Sequence, residues 1–328
     1  MKASPPLLVI LRALKLGDYL TGLPAIRALT RAFPGHRTVL LAPGWLAELT
    51  AHVGATDEHR HHPGLVSLPG DLCGADIAVD LHGCGPESQR LLLDSGPRRL
   101  IAFACPALSG TWGGPPWRSA EHEVTRWCRL LWENGIPADP DDLTISSPGS
   151  HRSIPTDATL IHPGAASAAR RWPVARFAGV ARNERDRGRP VIVTGGPGEE
   201  DLTAELATQT ALPSQAVFGR LGLGDFASLV AQAGRVLCGD TGAAHLATAL
   251  GTPSVVLHGP VSPRLWGPPP RGGLHVAIWA GESGDPHGAT VHPGLMKVSV
   301  ERVVDALSRL PTRPVGASPY GSRQDASV

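Results

Sequence analysis

The chain has 328 residues, which is enough for two domains of ordinary size, each with its own core. Hydrophobic residues make up 42% of it, and 30 lysines and arginines nearly balance 29 aspartates and glutamates. This composition is typical of a soluble globular protein, and it excludes a surface charge strong enough to recruit nucleic acid.

The sequence also bears on the compartment. The only early apolar run, Leu7 to Leu11, is too short for a signal-peptide core and is followed at once by Arg12 and Lys15. No run approaches the length of a membrane span. The five cysteines form no C-x-x-C pair, which indicates reduced thiols and no zinc site. We therefore predict a cytoplasmic protein, for which peripheral contact with a membrane-bound acceptor stays open.

The first half of the chain alternates between strand and helix patterns. Leu7 to Leu11 predicts a strand buried on both faces, as in a parallel sheet. Helical spacing follows, and Pro24 suits a first turn better than a helix interior, so the main helix is expected to begin near it. Asp18 then lies at the carboxyl end of the first strand, where open α/β sheets place their ligands. Further predicted elements are strands at 38–42, 77–81 and 100–103 and helices at 45–52 and 121–134.

Two segments interrupt this alternation. Residues 104–120 contain Trp112, Trp117 and a Gly-Gly-Pro-Pro run, and a loop so rich in aromatics is expected to form part of an acceptor-binding wall. Residues 135–155 are polar and Pro-rich, which is typical of a domain boundary. We predict a doubly wound N-terminal domain over 1–150, a second α/β domain over 151–310 and a disordered tail over 311–328.

The second half restarts the alternation. It has predicted strands at 160–162, 190–194, 235–238 and 252–258, and predicted helices at 173–187, 199–209, 226–232 and 300–310. Neither half contains a G-x-G-x-x-G turn or a G-x-x-x-x-G-K-[ST] loop. Nicotinamide dehydrogenases and P-loop NTPases are therefore poor fits.

One stretch of the second half, Leu237 to Gly251, indicates a phosphate site. It runs from the end of a buried strand through a tight turn into an Ala-rich helix. Thr241 and Gly242 can leave the first amides of this helix free, and the helix dipole favours an anion there. His245 follows Thr241 by one helical turn, so both can face the same ligand.

Other strand ends supply complementary groups, and parallel sheets would bring them to one crevice. Arg170 or Arg171 offers a fixed positive fork for a diphosphate, and Glu199 or Glu200 can accept hydrogen bonds from ribose hydroxyls. No D-x-D cluster is present to hold a divalent ion, so no metal is expected. The predicted nucleotide-binding residues are Ser167, Arg171, Glu199, Glu200, Asp240, Thr241, Gly242, Ala243 and His245.

Each of these residues also has a purely structural interpretation. Asp18 could cap a helix, and Arg170 and Arg171 could simply be solvated. Glu199 and Glu200 fit the first turn of a helix because of its dipole, and Asp240 and Thr241 are ordinary N-cap residues.

The joint order of the motifs resembles the ADP-heptose:lipopolysaccharide heptosyltransferases, glycosyltransferase family 9. The matching segments are Gly17-Asp18 with Pro24, His162-Pro-Gly-Ala with Arg170-Arg-Trp-Pro173, Gly195-Gly-Pro-Gly-Glu-Glu200, and Gly239-Asp-Thr-Gly-Ala-Ala-His245 with Gly259-Pro260. The resemblance implies a GT-B fold, in which two Rossmann-like doubly wound parallel-sheet domains face each other across a cleft. It also implies inverting, metal-independent transfer.

By the same resemblance, two residues receive catalytic roles. Asp18 would be the general base for the acceptor hydroxyl, and Arg170 would steady the departing diphosphate. Family members often carry Lys at the position of Arg170, so the charge is kept while its geometry changes.

The sequence thus predicts a glycosyltransferase that moves heptose or a related sugar from an ADP-linked donor, as in lipopolysaccharide core biosynthesis. The acceptor is expected to be a cell-envelope glycan or a small natural product, and no cofactor is expected beyond the nucleotide-sugar donor. Two alternatives stay open. One is a GT-B enzyme that uses another nucleotide sugar for transfer or epimerisation, and the other is a nucleotide-binding protein without turnover.

Overall fold

The computed structural model describes residues 5–149, 152–269 and 273–311. The chain divides between Leu143 and Thr144 into two compact units. This division falls within the polar segment 135–155, slightly before the predicted domain limit at residue 150. Of the predicted tail over 311–328, residues 312–328 lie outside the described part of the chain.

The N-terminal unit is built on a five-stranded, fully parallel sheet with the order β3-β2-β1-β4-β5. Its strands are β1 (Leu7–Leu11), β2 (Arg37–Ala42), β3 (Glu58–His61), β4 (Ile77–Asp80) and β5 (Arg99–Ile101). Its helices are α1 (Leu16–Ala32), α2 (Ala47–Val53), α3 (Pro86–Asp94) and α4 (Glu123–Trp132). The central strand β1 is buried because neighbouring strands and packed side chains cover it, as its continuous apolar sequence predicts.

The prediction that the main helix begins near Pro24 is wrong. Helix α1 begins at Leu16 and contains Pro24 in its interior. The helix begins roughly two turns earlier, because its first turn is held by hydrogen bonds that the spacing of apolar residues does not reveal. The Lys15 N–H donates to the Asp18 carboxylate at 3.1 Å, and Arg12 Nε donates to the Asp18 carbonyl oxygen at 2.6 Å.

The C-terminal unit contains a six-stranded, fully parallel sheet with the order β11-β10-β9-β6-β7-β8. Its strands are β6 (Thr159–His162), β7 (Val191–Thr194), β8 (Val217–Phe218), β9 (Arg235–Gly239), β10 (Ser254–Leu257) and β11 (His275–Ile278). Its helices are α5 (Val174–Asp186), α6 (Glu200–Thr210), α7 (Leu223–Gln232), α8 (Gly242–Ala249), α9 (Pro263–Trp266), α10 (Pro293–Met296) and α11 (Val300–Arg309).

Both sheets reverse their strand order once, which confirms the predicted doubly wound α/β architecture. In the N-terminal sheet the reversal lies between β1 and β4, and in the C-terminal sheet it lies between β6 and β9. Open α/β sheets bind ligands at the carboxyl ends of the strands on either side of such a reversal. Strands β3, β8 and β11, which the sequence analysis missed, all lie away from these two positions. Among the described residues, no helix has the length and apolar content needed to cross a bilayer.

Candidate functional site

The predicted phosphate segment lies at the strand reversal of the C-terminal sheet. Strands β6 and β9 are direct neighbours there, with His162 paired to Cys238 at their carboxyl ends. The loop after β6 leads to Arg170, and the turn after β9 leads into α8. The two loops lie in contact: an ideal Cβ atom built on Gly239 would be only 3.1 Å from the Arg170 carbonyl oxygen. The structure therefore brings these two predicted segments together.

Arg170 is held by a carboxylate of the same site. Its Nη2 lies 2.6 Å from Asp240 Oδ2, and the Asp240 side chain is only 4% exposed whereas that of Arg170 is 25% exposed. Within the described residues, Arg170 Nε and Asp240 Oδ1 are buried without a hydrogen-bond partner. The guanidinium thus has unused hydrogen-bonding capacity, while one of its donors is taken by Asp240.

The beginning of α8 offers backbone donors beside this ion pair. Thr241 is the N-cap residue in extended conformation, and its Oγ1 is buried and has no hydrogen-bond partner in the described part of the chain. Ala244 and His245 donate their N–H groups to the Thr241 carbonyl at 3.0 and 3.5 Å. The N–H groups of Gly242 and Ala243 precede these bonds, so they belong to the helix end that attracts anions.

His245 lies on the first turn of α8, as its spacing from Thr241 predicts. Its ring meets that of Trp266 edge-on, with ring centroids 5.8 Å apart. The imidazole is therefore packed against an aromatic neighbour near the amino-terminal end of the helix.

Of the two predicted ribose-binding acids, Glu199 is the one that joins the site. Its Oε2 accepts the Gly196 N–H at 2.8 Å and lies 3.5 Å from His162 Nε2. The carboxylate also lies over Gly164, where any Cβ would overlap it. Burial lowers the pKa of His162, and the charge of Glu199 opposes that effect only in part. Glu200 is exposed at the start of α6, so the structure does not bring it into this group.

The side chains of Ser167 and Arg171 both donate hydrogen bonds to backbone carbonyls. Ser167 Oγ donates to the Pro286 carbonyl at 2.6 Å, and Arg171 Nε donates to the Ala165 carbonyl at 2.9 Å. These bonds shape the loop after β6. Between the two predicted candidates for the diphosphate fork, Arg170 is therefore the one whose guanidinium lies beside Asp240 and α8.

The sequence analysis missed one buried residue of this group, His258. It follows β10 and is fully buried. Burial lowers the pKa of its imidazole, the charge of Asp240 raises it, and the charge of Arg170 lowers it further. The only sequence signal was a histidine at the end of an apolar run, which is too common to single out a site residue.

In the N-terminal unit, Asp18 occupies the first turn of α1 directly after β1. Its Oδ2 accepts the Lys15 N–H, so the structural interpretation of Asp18 as a helix-capping residue is confirmed. The bond engages one carboxylate oxygen only, and the side chain is partly exposed. Its role as a base stays a prediction.

A buried charge network supports this turn. Arg12 is fully buried, donates to the carbonyl oxygens of Asp18 and Leu81, and lies 3.4 Å from Glu123 Oε1. Glu123 also accepts the Trp127 indole N–H at 2.7 Å. Such a buried cation is stable only because its donors are satisfied in this way. Neither Arg12 nor Glu123 was predicted as a supporting residue, because the two are far apart in the sequence.

The aromatic loop over 104–120 is partly packed and partly exposed. The ring of Trp117 lies 5.2 Å from that of Phe103 and 6.0 Å from that of Trp127. The Arg126 guanidinium covers Trp117 at 4.3 Å, whereas Trp112 is 66% exposed. Trp117 thus contributes to the stability of the unit, and the acceptor-binding role of the loop stays a prediction. In the residues that the structure describes, no group of three or more His, Cys, Asp or Glu side chains is arranged to hold a metal ion.

Comparison with known proteins identifies relatives of both the sequence and the fold. The chain is 28% identical over 153 residues to lipooligosaccharide heptosyltransferase 2 of Haemophilus influenzae, a match that covers 43% of each protein. It is 30% identical over 139 residues to lipopolysaccharide heptosyltransferase 1 of Pseudomonas aeruginosa, covering 42% of this chain and 37% of the relative. The matches thus span 37 to 43% of the length of the first three curated relatives.

Solved structures resemble the chain over nearly its whole length. ADP-heptose lps heptosyltransferase II of E. coli superposes with a TM-score of 0.73 at 20% identity, covering 92% of this chain and 97% of that one. A glycosyl transferase family 9 protein of Veillonella parvula superposes with a TM-score of 0.75 at 19% identity, covering 94% and 98%. At this identity the likeness concerns the fold, and it confirms the predicted GT-B class.

The family assignment depends on the sequence itself. The model of glycosyltransferase family 9 (heptosyltransferase) matches residues 116–287, just over half of the chain, and this range includes the predicted phosphate segment and the Arg170–Asp240 pair. The chain therefore belongs to glycosyltransferase family 9, the heptosyltransferase family.

Proposed function

We propose that this protein transfers a heptose or related sugar from an ADP-linked donor to a hydroxyl group of an acceptor. The observation that carries the proposal is the group of anion-binding elements at the strand reversal of the C-terminal sheet. There the Arg170 guanidinium and the first N–H groups of α8 lie on neighbouring loops, and Glu199 follows the adjacent strand β7. A nucleoside diphosphate needs positive charge for its phosphates and an acceptor of hydrogen bonds for its ribose, and these elements supply both.

The same elements support transfer without a metal ion. When the sugar leaves, negative charge develops on the diphosphate and must be neutralised. A guanidinium and a helix N-terminus provide fixed positive electrostatic potential for this purpose. We therefore assign Arg170, Thr241, Gly242 and Ala243 to stabilisation of the leaving group.

We assign the acceptor side of the reaction to the N-terminal unit. In an inverting transfer, the acceptor oxygen forms a bond to the anomeric carbon while the bond from that carbon to the diphosphate breaks. The bonding electrons leave with the ADP, and the acceptor proton passes to a base. Asp18 suits this role because its carboxylate is partly exposed and its turn is fixed by Lys15 and Arg12. Loss of such a base typically lowers the rate ~10²–10⁴-fold.

The acceptor in this proposal is a cell-envelope glycan or a small natural product. A lipid-linked acceptor would be reached by peripheral contact with the membrane. We place the protein in the cytoplasm, and the cysteines support this, since all five lie within the described residues and carry free thiols.

The first test is calorimetric titration with ADP, UDP and GDP in the absence of added metal. The wild-type protein should prefer ADP. Arg170→Ala should weaken ADP binding strongly, and Arg170→Lys should weaken it less because the charge remains. Arg171→Ala should have a smaller effect because its Nε holds the Ala165 carbonyl. Arg187→Ala, an exposed residue just beyond the far end of α5, is the matched control.

The outcomes discriminate between the possible functions. Preference for ADP that depends on Arg170 would support the donor site and justify turnover assays with ADP-heptose. Preference for UDP or GDP would contradict the proposed donor. Absence of binding to all three would favour a protein without this activity. With ADP-heptose and an acceptor, product analysis separates glycosyl transfer from epimerisation of the sugar nucleotide.

A further inference from the structure

The strand reversal of the N-terminal sheet creates a second ligand position by the same topological rule. Strands β1 and β4 are neighbours there, with Leu11 paired to Asp80, while the connections from β1 to β2 and from β4 to β5 run to opposite sides. The residues directly after β1 lead to Asp18, and those after β4 lead to His82. In open α/β sheets these two loops border the ligand crevice.

The turn that carries His82 is fixed by buried hydrogen bonds. The Asp80 carboxylate accepts the His82 N–H through Oδ1 and the Ser88 hydroxyl through Oδ2, both at 2.8 Å. The Leu81 N–H donates to the Leu11 carbonyl at 3.1 Å, so this turn is tied to the end of β1. His82 is therefore held at a defined place and is not on a loose loop.

The imidazole of His82 has hydrogen-bonding capacity that the described residues do not use. Its Nδ1 is buried without a hydrogen-bond partner among them, while the ring as a whole is only half-buried. The exposed part of the ring therefore does not include Nδ1, which leaves Nε2 as the ring nitrogen available to a ligand. A ligand in the crevice would meet that nitrogen.

The charges around His82 favour an uncharged ligand. Burial lowers the pKa of His82 to about 4, the charges of Arg12 and His62 lower it further, and that of Asp18 opposes them. The ring is therefore neutral near pH 7. Arg12 is fully buried and donates to the carbonyl oxygens of Asp18 and Leu81, so it is not open to an anionic acceptor.

We infer that His82 is an acceptor-binding residue, whose imidazole forms a hydrogen bond with an uncharged hydroxyl of the acceptor beside Asp18. The inference rests on the proposed function, in which Asp18 takes the proton of the attacking hydroxyl. His82 takes no proton in this scheme. Its contribution is to hold a neutral polyhydroxyl acceptor, such as a sugar, in reach of Asp18.

The test compares two conservative variants that place an amide at different positions of the lost ring. The amide of Gln at position 82 reaches the place of Nε2, whereas that of Asn reaches the place of Nδ1. Variants His82→Gln, His82→Asn and His82→Ala are compared with His36→Ala. His36 lies directly before β2, at the amino ends of the parallel strands and away from the crevice at their carboxyl ends. It serves as the matched control.

Two readouts separate this inference from the proposed function. Calorimetry with ADP reports the donor site of the C-terminal unit, and ADP release from ADP-heptose with increasing glycerol reports an uncharged hydroxyl acceptor. We expect unchanged ADP binding in all variants. The KM for glycerol should rise ~10-fold in His82→Ala and His82→Asn, as expected for one lost hydrogen bond, and should return near the wild-type value in His82→Gln. The kcat at saturating glycerol should change less.

Each other result decides against one of the two proposals. If the wild-type protein binds no ADP, or releases none from ADP-heptose with any acceptor tested, the proposed function fails and this inference fails with it. If it releases ADP but glycerol never increases the rate, the crevice does not take uncharged hydroxyls and the inference is wrong. The same holds if the KM for glycerol is unchanged in His82→Ala, or if Gln and Asn are equivalent. Should the Ala variant fail to fold, the comparison of Gln with Asn still decides.

Discussion

The ion pair between Arg170 and Asp240 provides the sharpest test of how the donor site is built. Asp240 is almost completely buried, and within the described residues its Oδ1 has no hydrogen-bond partner. The charge of this carboxylate is therefore balanced chiefly by Arg170, which lies 2.6 Å from Oδ2. Replacing Arg170 with Ala leaves a buried carboxylate without its counter-charge.

The size of the expected loss of stability in Arg170→Ala follows from the burial of the ion pair. Removal of one partner from a fully buried ion pair typically costs ~3–5 kcal/mol of stability. Because a quarter of the Arg170 side chain is exposed, water can partly compensate, and we expect a loss of about 2 kcal/mol for Arg170→Ala. The double variant Arg170→Ala, Asp240→Asn no longer buries an unpaired charge and should regain about 1 kcal/mol.

Ligand binding should show the same pattern. In Arg170→Ala, a diphosphate loses its counter-charge and also meets the unbalanced carboxylate of Asp240. The double variant removes that repulsion, so it should bind ADP more tightly than Arg170→Ala and less tightly than the wild-type protein. If Arg170→Ala removed only one contact with the diphosphate, the single and the double variant would instead have equal affinity for ADP.

The assay combines urea unfolding with hydrogen exchange of amides in β9 and α8, which reports the C-terminal unit directly even if the two units unfold in separate transitions. Arg187→Ala provides the control for loss of a surface arginine. The reasoning is refuted if Arg170→Ala is as stable as this control, or if the double variant is no more stable than Arg170→Ala.

Three further predictions concern other parts of the two sites. In Gly22→Ala, the new Cβ would lie 2.5 Å from Arg12 Nε and 2.8 Å from Arg12 Cδ, so urea unfolding should show a loss of ~1–3 kcal/mol despite the better helix propensity of Ala. In Gly164→Ala, the Cβ would displace the Glu199 carboxylate; calorimetry should show weaker ADP binding, and unchanged affinity would count against a ribose-binding role for Glu199. Burial raises the pKa of Asp80 to about 6 from an ordinary value of 3.8. Above pH 6 the charged carboxylate therefore destabilises the folded state. This destabilisation disappears as the pH falls through 6 toward 4. When the pH is lowered from 7 to 5, the free energy of unfolding of the wild-type protein, measured with urea, should rise by roughly 1–2 kcal/mol relative to that of Asp80→Asn. An equal difference between the two proteins at both pH values would contradict this.

The sequence predicted the buried central strands well and the edge strands poorly, for a physical reason. Strands β1 and β9 are covered on both faces, so each appears as a continuous apolar run. Strand β3 consists of Glu58-His-Arg-His61, and among the described residues β2 is the only strand that pairs with it. Its polar side chains form ion pairs, such as Glu58 with Arg37 at 2.9 Å, which apolar periodicity cannot reveal.

Local patterns also misplaced the start of α1. Pro24 is most favourable in a first helical turn, and this preference alone predicted the helix start. The observed start depends on Arg12 and on the capping bond of Asp18, and Arg12 is itself held by Leu81 and Glu123. These partners come from the turn after β4 and from α4, so tertiary structure overrides the local preference.

In the candidate site, too, the segments could be predicted from local sequence, whereas the contacts between them could not. The segments after β6, β7 and β9 were predicted because each follows a clear apolar run and contains small or charged residues. Their pairings were not predicted: Arg170 joins Asp240, while Glu199 folds over Gly164 toward His162. These pairings depend on side-chain conformations that the spacing of residues does not determine.

The strand order explains why Asp18 was predicted and His82 was not. In each unit the first strand lies beside the strand at which the order reverses, β1 beside β4 and β6 beside β9. The loop after a first strand is easy to find in a sequence, whereas its partner could follow any later strand. Only the sheet order shows that β4, rather than β2 or β5, brings its following loop to the Asp18 side of the reversal. Because ligand crevices form between these two loops, the reversal of the N-terminal sheet combines one segment that the sequence indicates with one that only the fold identifies, whereas both segments at the C-terminal reversal were indicated by the sequence.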